Sequence, residues 1–391
     1  MLTIKKIPRN VWILGFVSLL TDISSEMIYV VLPLFLVNTL GTSALTVGMI
    51  EGIAEATASV IKLISGSLSD YFKNRKSLTI MGYGLSALVK PMFALATNPF
   101  WILIARFGDR VGKGIRGAPR DALVADSTPA DIRGSAYGLR QSLDSIGAFL
   151  GPLFAFVLLS KSINDYRQVF LFSVIPGFMS VALLSVGIKE PKHEKSQPKT
   201  KSINWQSLKE LSSSYWVIVL VTLLFNLSNS SDAFLLLKTQ QVGISSNFVP
   251  LTIMTTNIVY ALSALPVGIL SDRLGRVGLL LSSFLLYAFV YLGFALVSSP
   301  ELIWILFVLY GLYLGMSQGL ILSIVADKVP AHLRGTAFGF LNLATGIALL
   351  PASLIAGWLW QSVGVWAPFI LGSFFALLAA IIFAWKYRRG F

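Results

Sequence analysis

The feature that most constrains the fold of this chain is a series of long apolar stretches that recurs along the whole sequence. An α-helix needs about 20 mostly apolar residues to cross the ~30 Å hydrocarbon core of a membrane. Hydrophobic residues make up 55% of the 391 residues, and the mean hydropathy is +0.75, which excludes an ordinary soluble domain. Transmembrane β-barrels show short alternating segments instead, so the pattern predicts an all-α membrane protein with twelve transmembrane helices. The predicted spans are 11–39, 45–69, 77–97, 99–122, 134–160, 165–188, 214–241, 247–270, 277–297, 300–325, 335–359 and 365–386.

The net charge of +13 is distributed unevenly among the connections between these spans. Most Lys and Arg residues of the connections lie on the side that also holds both chain ends, and only Lys161 and Arg167 fall in connections on the other side. Basic residues accumulate in cytoplasmic loops, so both termini are predicted to be cytoplasmic, and no nucleic-acid partner is needed to explain the charge. The chain contains no Cys, which excludes disulfides and thiolate metal sites, and no metal site is predicted.

The two halves of the sequence resemble each other. ADSTPADIRGSAYG at 125–138 recurs as ADKVPAHLRGTAFG at 326–339, an offset of 326 − 125 = 201, and GSLSD at 66–70 recurs as GILSD at 268–272. A polar, Lys-rich segment separates the halves. Such a duplication is typical of membrane transporters and predicts two six-helix repeats, at 1–188 and 214–391, joined by a basic cytoplasmic linker at 189–213.

These motifs resemble those of the major facilitator superfamily, and the resemblance covers essentially the whole chain. GILSDRLGR at 268–276 is similar to the loop motif of that family, and its counterpart after span 2 lacks the second Gly. RVGKGIRGA at 110–118 resembles the family motif of span 4, with Lys113 in place of Gln, and GAFLGP at 147–152 resembles the start of the antiporter motif of span 5. The resemblance implies a transporter, not an enzyme, that works by alternating access. It also implies a cytoplasmic gate formed by Gly66, Asp70, Arg133, Gly268, Asp272, Arg273, Arg276 and Arg334. Helix capping is an alternative role for Arg133 and Arg334.

Predicted span 4 contains the stretch RFGDRVGKGIRGAPRD at 106–121, with seven charged residues in sixteen, although only 13% of the chain is charged. An offset of 201 places this stretch on FVLYGLYLGMSQGLIL at 307–322, a clear transmembrane segment. The charged stretch is therefore predicted to be a transmembrane helix rather than a cytoplasmic loop. Arg106, Asp109, Arg110 and Lys113 follow the i, i+3/i+4, i+7 pattern of one helix face, which must face protein or water because a charge facing lipid is costly. Arg116 and Arg120 lie nearer the cytoplasmic end and are expected to reach the interface.

Charges of the opposite sign occur in other spans of the first half, whereas the second half has neutral residues at the equivalent positions. Arg140 and Asp144 are spaced as an i, i+4 pair and have a structural ion pair as their alternative role; Lys90 has either a structural or a functional role. Charged residues inside a membrane are candidates for function by default. The predicted substrate-binding and ion-coupling residues are Asp22, Glu26, Tyr29, Glu51, Glu55, Arg106, Asp109, Arg110, Lys113, Arg140 and Asp144 of the first half, and Asn226, Asn229, Asp232, Tyr310 and Gln318 of the second.

The chain has no ATP-binding P-loop motif, so transport is expected to use an ion gradient, with protons as the coupling ion and no cofactor. Arg suits bidentate contacts to carboxylate or phosphate. The leading hypothesis is therefore a proton-coupled carrier of a small anionic or zwitterionic solute, such as a polycarboxylate or its metal chelate. The alternative is a multidrug/proton antiporter that exports lipophilic compounds, and the third is a transporter of hard cations. The expected partners are the solute and the lipid bilayer, and the expected state is a monomer in a bacterial inner membrane.

Overall fold

The computed structural model describes residues 7–72, 75–129, 132–161, 165–188, 211–330 and 333–388. Within helices, the side chains at 66–72, 272–274, 318, 319, 322, 326, 334–336 and 388 lie outside the described part. The described residues form α-helices and no strand. The helices are α1 (Arg9–Tyr29), α2 (Leu32–Leu34), α3 (Ala44–Phe72), α4 (Arg75–Leu95), α5 (Pro99–Asp126), α6 (Arg133–Lys161), α7 (Tyr166–Gly187), α8 (Ser213–Ser228), α9 (Ala233–Gln241), α10 (Val249–Leu274), α11 (Arg276–Leu296), α12 (Pro300–Lys328), α13 (Arg334–Ser362) and α14 (Ala367–Arg388), and a π-helical turn at Phe35–Thr39 follows α2.

Within the described residues, 11 helical segments are long and apolar enough to cross a membrane. The helix at the position of predicted span 4, α5, is not among them because of its charges. It nevertheless has 28 residues, about 42 Å at ~1.5 Å per residue, which is long enough to span a bilayer. The charged stretch 106–121 is therefore part of one continuous helix and not a loop.

Two of the predicted spans are not continuous helices. The first is interrupted after Tyr29. In a continuous helix the ring of Pro33 would clash with the carbonyl group four residues earlier, and Pro33 has no backbone N–H group to donate a hydrogen bond. The seventh is divided into α8 and α9 by the non-helical residues 229–232. These residues are Asn229, Ser230, Ser231 and Asp232, whose side chains compete with the helical backbone for hydrogen bonds. Both segments match predicted spans in extent, as Arg9–Thr39 and Ser213–Gln241, but each contains a local break that was not predicted.

The chain divides into two compact units. Unit 1 comprises Met1–Leu36 and Thr57–Ser202, and unit 2 comprises Val37–Ala56 and Ile203–Phe391. In unit 1, α4 packs against α5 and α7, and α1 packs against α6 and α7. In unit 2, α12 packs against α10 and α11, and α14 packs against α8 and α11. The sequence repeat places residues 37–56 in the first half, whereas in the structure they group with the second.

Small residues explain why the first part of α3 groups with unit 2. A Cβ atom added to Gly52 would lie 3.1 Å from the Leu350 carbonyl oxygen of α13, and one added to Gly357 would lie 2.7 Å from the Leu45 Cα atom. These glycines let the backbones of α3 and α13 approach closely, as small residues commonly do between membrane helices.

Candidate functional site

The charges of α5 are buried inside unit 1. The helix begins at Pro99 after Asn98, whose side chain accepts hydrogen bonds from the backbone N–H groups of Phe100 and Trp101 at 3.1 and 3.4 Å. Further along the helix, four charged side chains have exposed fractions of 2, 7, 7 and 6%. They are, in this order, Arg106, Asp109, Arg110 and Arg116.

Close packing of α4 on α5 produces this burial. A Cβ atom on Gly112 would lie 2.5 Å from both the Gly82 carbonyl oxygen and the Ser86 Oγ atom, so no larger residue fits there without displacement. The Arg116 guanidinium lies 4.4 Å from the ring centre of Tyr83, a cation–π contact, and donates a hydrogen bond to Ser86 at 3.4 Å. The sequence predicted that Arg116 extends to the membrane interface. In the structure it is buried instead, because it has partners on α4.

Asp109 is the acidic centre of the cluster on α5. One of its carboxylate oxygens lies 3.9 Å from the Arg106 guanidinium, and Arg106 also lies 5.6 Å from the ring centre of Tyr29 on α1. Lys90 on α4 is 1% exposed and interacts electrostatically with Asp109. Its ammonium group donates a hydrogen bond of 3.1 Å to Ser25 on α1. Lys90, for which the sequence allowed either a structural or a functional role, thus links α4 to α1 within the cluster.

The two acidic residues of α1 lie where α1 and α6 approach most closely. A Cβ atom on Gly147 would lie 2.9 Å from Asp22 Cβ, and one on Gly151 would lie 2.5 Å from Glu26 Cβ. Both carboxylates are partly buried. Asp22 interacts electrostatically with residues including Asp144, Arg116, Lys113 and Arg120, and Glu26 with residues including Asp22, Lys113, Arg110 and Arg106. Carboxylates and guanidinium groups of α1 and α5 therefore form one charged site, which we call the ionic cluster: Asp22, Glu26, Lys90, Arg106, Asp109, Arg110 and Arg116.

Arg140 and Asp144 form the ion pair that their spacing predicted, at 2.5 Å. Arg140 also lies 3.9 Å from Asp121. Within the described residues, the second carboxylate oxygen of Asp144 is buried and accepts no hydrogen bond. The pair lies within α6, and Arg140 also joins α6 to Asp121 of α5.

The remaining predicted residues of the first half are less buried than expected or belong to unit 2. Lys113 is exposed, so it does not share the burial of its neighbours in the predicted stripe. Glu51 is 2% exposed and, like Glu55, belongs to the segment that groups with unit 2.

In unit 2, the predicted residues lie near the break between α8 and α9. Tyr310 donates a hydrogen bond of 2.8 Å to the Asp232 carboxylate, and the Asn226 amide donates one of 2.8 Å to the Thr222 carbonyl oxygen. Asn229 lies at the break and accepts a long hydrogen bond of 3.5 Å from Tyr287. The side chain of Gln318 lies outside the described part.

Sequence reasoning missed two tyrosines of this region. Tyr287 and Tyr291 on α11 are 0% and 1% exposed, and their rings stack at 4.1 Å. The signal was available in the repeat, because the offset of 201 relates Ser86 to Tyr287 and Lys90 to Tyr291. Two members of the ionic cluster, Lys90 and Asp109, thus have tyrosines, Tyr291 and Tyr310, at the equivalent positions of unit 2.

Two ion pairs occupy equivalent positions in the two units. Arg75 at the start of α4 pairs with Asp126 at the end of α5, and Arg276 at the start of α11 pairs with Asp327 at the end of α12 at 2.5 Å. Both residues of the second pair follow those of the first by 201 positions. Of the predicted gate residues, Arg276 is therefore engaged within its own unit, while Arg133 is exposed with a long hydrogen bond of 3.4 Å to the Thr128 carbonyl oxygen. The described part does not include the side chains of Asp70, Asp272, Arg273 and Arg334 or the burial of Gly66. Gly268 is exposed.

Apolar helices of membrane-spanning length, together with buried charges and a broken helix, define a polytopic membrane transport protein. The chain belongs to the major facilitator superfamily, whose family model matches residues 14–242 and 228–390. This confirms the family resemblance inferred from the motifs. Proteins of this family are transporters and not enzymes.

Similar proteins support the same assignment. An uncharacterized MFS-type transporter of Methanocaldococcus jannaschii is 31% identical over 97% of this chain and 95% of its own. The multidrug resistance protein MdtH of Photorhabdus laumondii is 30% identical, but over only 36% of this chain and 35% of its own. Among solved structures, a bacterial homolog of the human lysosomal transporter Spinster has a TM-score of 0.80 at 16% identity and covers 97% of this chain and 96% of its own, which shows a shared fold.

Proposed function

We propose that this protein is a proton-coupled secondary transporter of a small anionic or zwitterionic solute, such as a polycarboxylate or its metal chelate. The observation that carries the proposal is the burial of Arg106, Arg110 and Arg116 on one helix face with a single acidic residue, Asp109, between them. Charges buried in a membrane protein are retained when they pair with one another or bind a substrate. The excess of guanidinium groups on α5 suits a carboxylate or phosphate group of the solute.

The carboxyl groups of Asp22 and Glu26 are proposed to carry the coupling proton. Burial favours the neutral form of a carboxyl group, and a nearby guanidinium favours its charged form. A solute anion that binds Arg106 and Arg110 weakens their attraction for Glu26 and so favours its protonation. Binding of solute and binding of a proton thereby become linked, which is the requirement for coupled transport. No cofactor takes part, and the energy comes from the ion gradient.

The remaining features of the proposal follow from the sequence and the family. Twelve transmembrane helices in two six-helix repeats, with both termini in the cytoplasm, accord with the distribution of Lys and Arg. Transport proceeds by alternating access, and the loop-motif residues on the cytoplasmic side form the gate. We propose that the protein works as a monomer in the inner membrane of a bacterium.

Solute binding is expected to depend on Arg110. In a thermal-shift panel of purified protein with carboxylates, metal chelates, phosphates, zwitterions and lipophilic cations, an anion should raise the unfolding midpoint. Arg110→Gln should weaken its binding about 10- to 100-fold, because a hydrogen-bonded buried charge contributes roughly 1.5–3 kcal/mol. Lys161→Gln, at an exposed position of α6, makes the same change of charge and should leave the binding unchanged. Anion binding that is equal in both variants would contradict the proposed role of α5.

Proton coupling is expected to depend on Glu26. Uptake of the stabilising anion into proteoliposomes should be accelerated by an imposed proton gradient in the unmodified protein. In Glu26→Gln, and to a similar degree in Asp22→Asn, the acceleration should fall by about 5- to 150-fold, the usual range of a coupling free energy. Glu301→Gln, at the exposed start of α12, serves as the control. Gradient-driven uptake that survives the loss of both carboxylates would show that other groups carry the proton.

The second candidate function is proton-coupled export of lipophilic compounds. It is favoured by the partial similarity to MdtH and by the GAFLGP sequence of α6. In the thermal-shift panel, stabilisation by lipophilic cations that Arg110→Gln leaves unchanged would support this function over anion transport. Transport of a divalent hard cation such as Mn²⁺ or Mg²⁺ receives no support, since the described residues contain no group of three or more His, Cys, Asp or Glu side chains that could hold a metal ion.

A further inference from the structure

The break between α8 and α9 gathers oxygen atoms in the interior of unit 2. Tyr287 donates a hydrogen bond of 2.9 Å to the Ser228 carbonyl oxygen and lies 3.5 Å from the Asn229 side-chain oxygen. Tyr310 donates one of 2.8 Å to the Asp232 carboxylate. The carbonyl groups at the C-terminal end of α8 carry the negative end of its helix dipole. The region therefore combines one carboxylate with several neutral oxygen donors.

The Asp232 carboxylate is not used to cap α9. It makes no capping hydrogen bond, and the backbone N–H group of Ala233 donates instead to Ser231 Oγ at 3.2 Å. The backbone N–H group of Ser231 donates to Ser353 on α13 at 3.3 Å. Since serines satisfy the backbone of the break, helix capping does not explain the carboxylate.

A buried hydroxyl group at this place has no hydrogen bond of good geometry within the described residues. It belongs to Tyr291, which is 1% exposed. It lies close to the Tyr287 hydroxyl group and the Ser230 side chain, and in electrostatic contact with Asp232. Gly372 of α14 holds the Tyr291 ring next to the break, because a Cβ atom there would lie 2.6 Å from that ring and 2.9 Å from the Ser228 carbonyl oxygen. A buried polar group without a partner is costly. A cation coordinated by the hydroxyl oxygen would therefore stabilise this arrangement.

Unit 1 shows what occupies the equivalent place there. In unit 1, a Cβ atom added to Gly177 of α7 would lie 3.1 Å from both the Ser24 Oγ atom and the Lys90 Cδ atom, just as one added to Gly372 of α14 would lie against the Ser228 carbonyl oxygen and the Tyr291 ring in unit 2. In unit 1, the Lys90 ammonium group donates to Ser25 Oγ at 3.1 Å. The residue equivalent to Lys90, at an offset of 201, is Tyr291. Unit 1 thus supplies a cation from its own chain at the place where unit 2 has a buried phenol group.

We propose that the α8–α9 break binds a small monovalent cation, with Na⁺ as its probe, in the place that the Lys90 ammonium group takes in unit 1. The ligands are oxygen atoms of Asn229, Ser230, Asp232 and Tyr291, together with the carbonyl end of α8. Broken membrane helices commonly coordinate ions through such groups. A single carboxylate balances one positive charge, whereas divalent ions favour sites with several carboxylates. As a coupling ion, Na⁺ would act alongside the proton, and in that respect the inference rests on the proposed function.

The test is a thermal-shift titration of the purified full chain with NaCl, KCl and choline chloride at constant ionic strength, without solute. Na⁺ should raise the unfolding midpoint with saturation, and choline should not; a response to K⁺ equal to that of Na⁺ would overturn the assignment to a small cation. Asp232→Asn and Tyr291→Phe should raise the Na⁺ concentration of half effect, by at least ~10-fold for the lost carboxylate. Tyr215→Phe is the matched control, because this buried tyrosine of α8 donates its hydroxyl group to the Ala337 carbonyl oxygen at 2.9 Å, away from the proposed ligands.

The decisive variant is Tyr291→Lys, which supplies in unit 2 the ammonium group of unit 1. It should fold without Na⁺ and should no longer respond to it. Equilibrium binding of radioactive Na⁺ to the unmodified protein keeps the proposal testable if a variant fails to fold. No saturable Na⁺ binding, or equal binding in Asp232→Asn, would overturn it. Since these measurements contain no solute, they are independent of the Arg110 test of the proposed function.

Discussion

Replacing Asp109 by Asn is expected to destabilise the protein by about 3–5 kcal/mol, the usual cost of removing one partner from a buried ion pair. The variant retains the shape of the side chain but leaves Arg106, Arg110 and Lys90 without their shared acidic partner. The expected result is a much lower unfolding midpoint in detergent and a low yield of folded protein. Asp121→Asn is the matched control on the same helix, where the side chain is 43% exposed and the expected change is about 0–1 kcal/mol.

A second substitution tests whether charge imbalance is the cause. Lys90→Met removes one buried cation, so it should restore part of the stability lost in Asp109→Asn. The coupling between the two sites follows from a double-mutant cycle. Equal midpoints for Asp109→Asn and Asp121→Asn, or strictly additive effects of the two substitutions at 90 and 109, would show that the cluster is not held by these charges.

The second large effect is expected at the contact of α4 with α5. Gly112→Ala should destabilise the protein by about 1–3 kcal/mol or more, because its Cβ atom would meet the Gly82 carbonyl oxygen and Ser86 Oγ at 2.5 Å. Separation of the helices should also disturb the contact between Arg116 and Tyr83, so solute binding should weaken together with stability. Thermal unfolding and the solute titration measure the two effects.

Gly117→Ala is the control for this prediction, since it makes the same change one and a half turns further along α5. A Cβ atom there would have no neighbour nearer than the Lys62 Cγ atom at 4.0 Å. The expected result is unchanged or slightly higher stability, by up to ~1 kcal/mol from helix propensity. Similar losses in both variants would indicate that the helix itself, rather than its contact with α4, is sensitive to the added methyl group.

Much of the helical framework could be predicted because a membrane imposes local rules. The predicted spans 77–97 and 300–325 are observed as the helices Arg75–Leu95 and Pro300–Lys328. The repeat also predicted correctly that the charged stretch of α5 is helical. The prediction gave the extent of these spans but not the breaks within them, as at Asn229–Asp232, because hydropathy over a long window does not detect a local change of backbone hydrogen bonding.

The candidate site was predictable in composition but not in its contacts. Charges buried inside a membrane helix need partners. The sequence placed basic residues on α5 and acidic residues on α1, so contacts between these two helices were expected. The environment of Arg116 could not be predicted, because it depends on how closely Gly82 and Gly112 let α4 approach α5. Tyr287 and Tyr291 were overlooked because an aromatic residue in an apolar span resembles ordinary packing.

The sequence by itself determined that this chain is a membrane transporter of the major facilitator superfamily and that its charges concentrate on α5. Hydropathy, basic loops and the duplicated motifs are properties of short segments, so they can be read without knowledge of contacts. Only the tertiary structure decided which charges are buried together, where α8 and α9 separate, and which tyrosines lie beside that break. These features depend on close approaches between helices that are distant in the sequence, which no local pattern specifies.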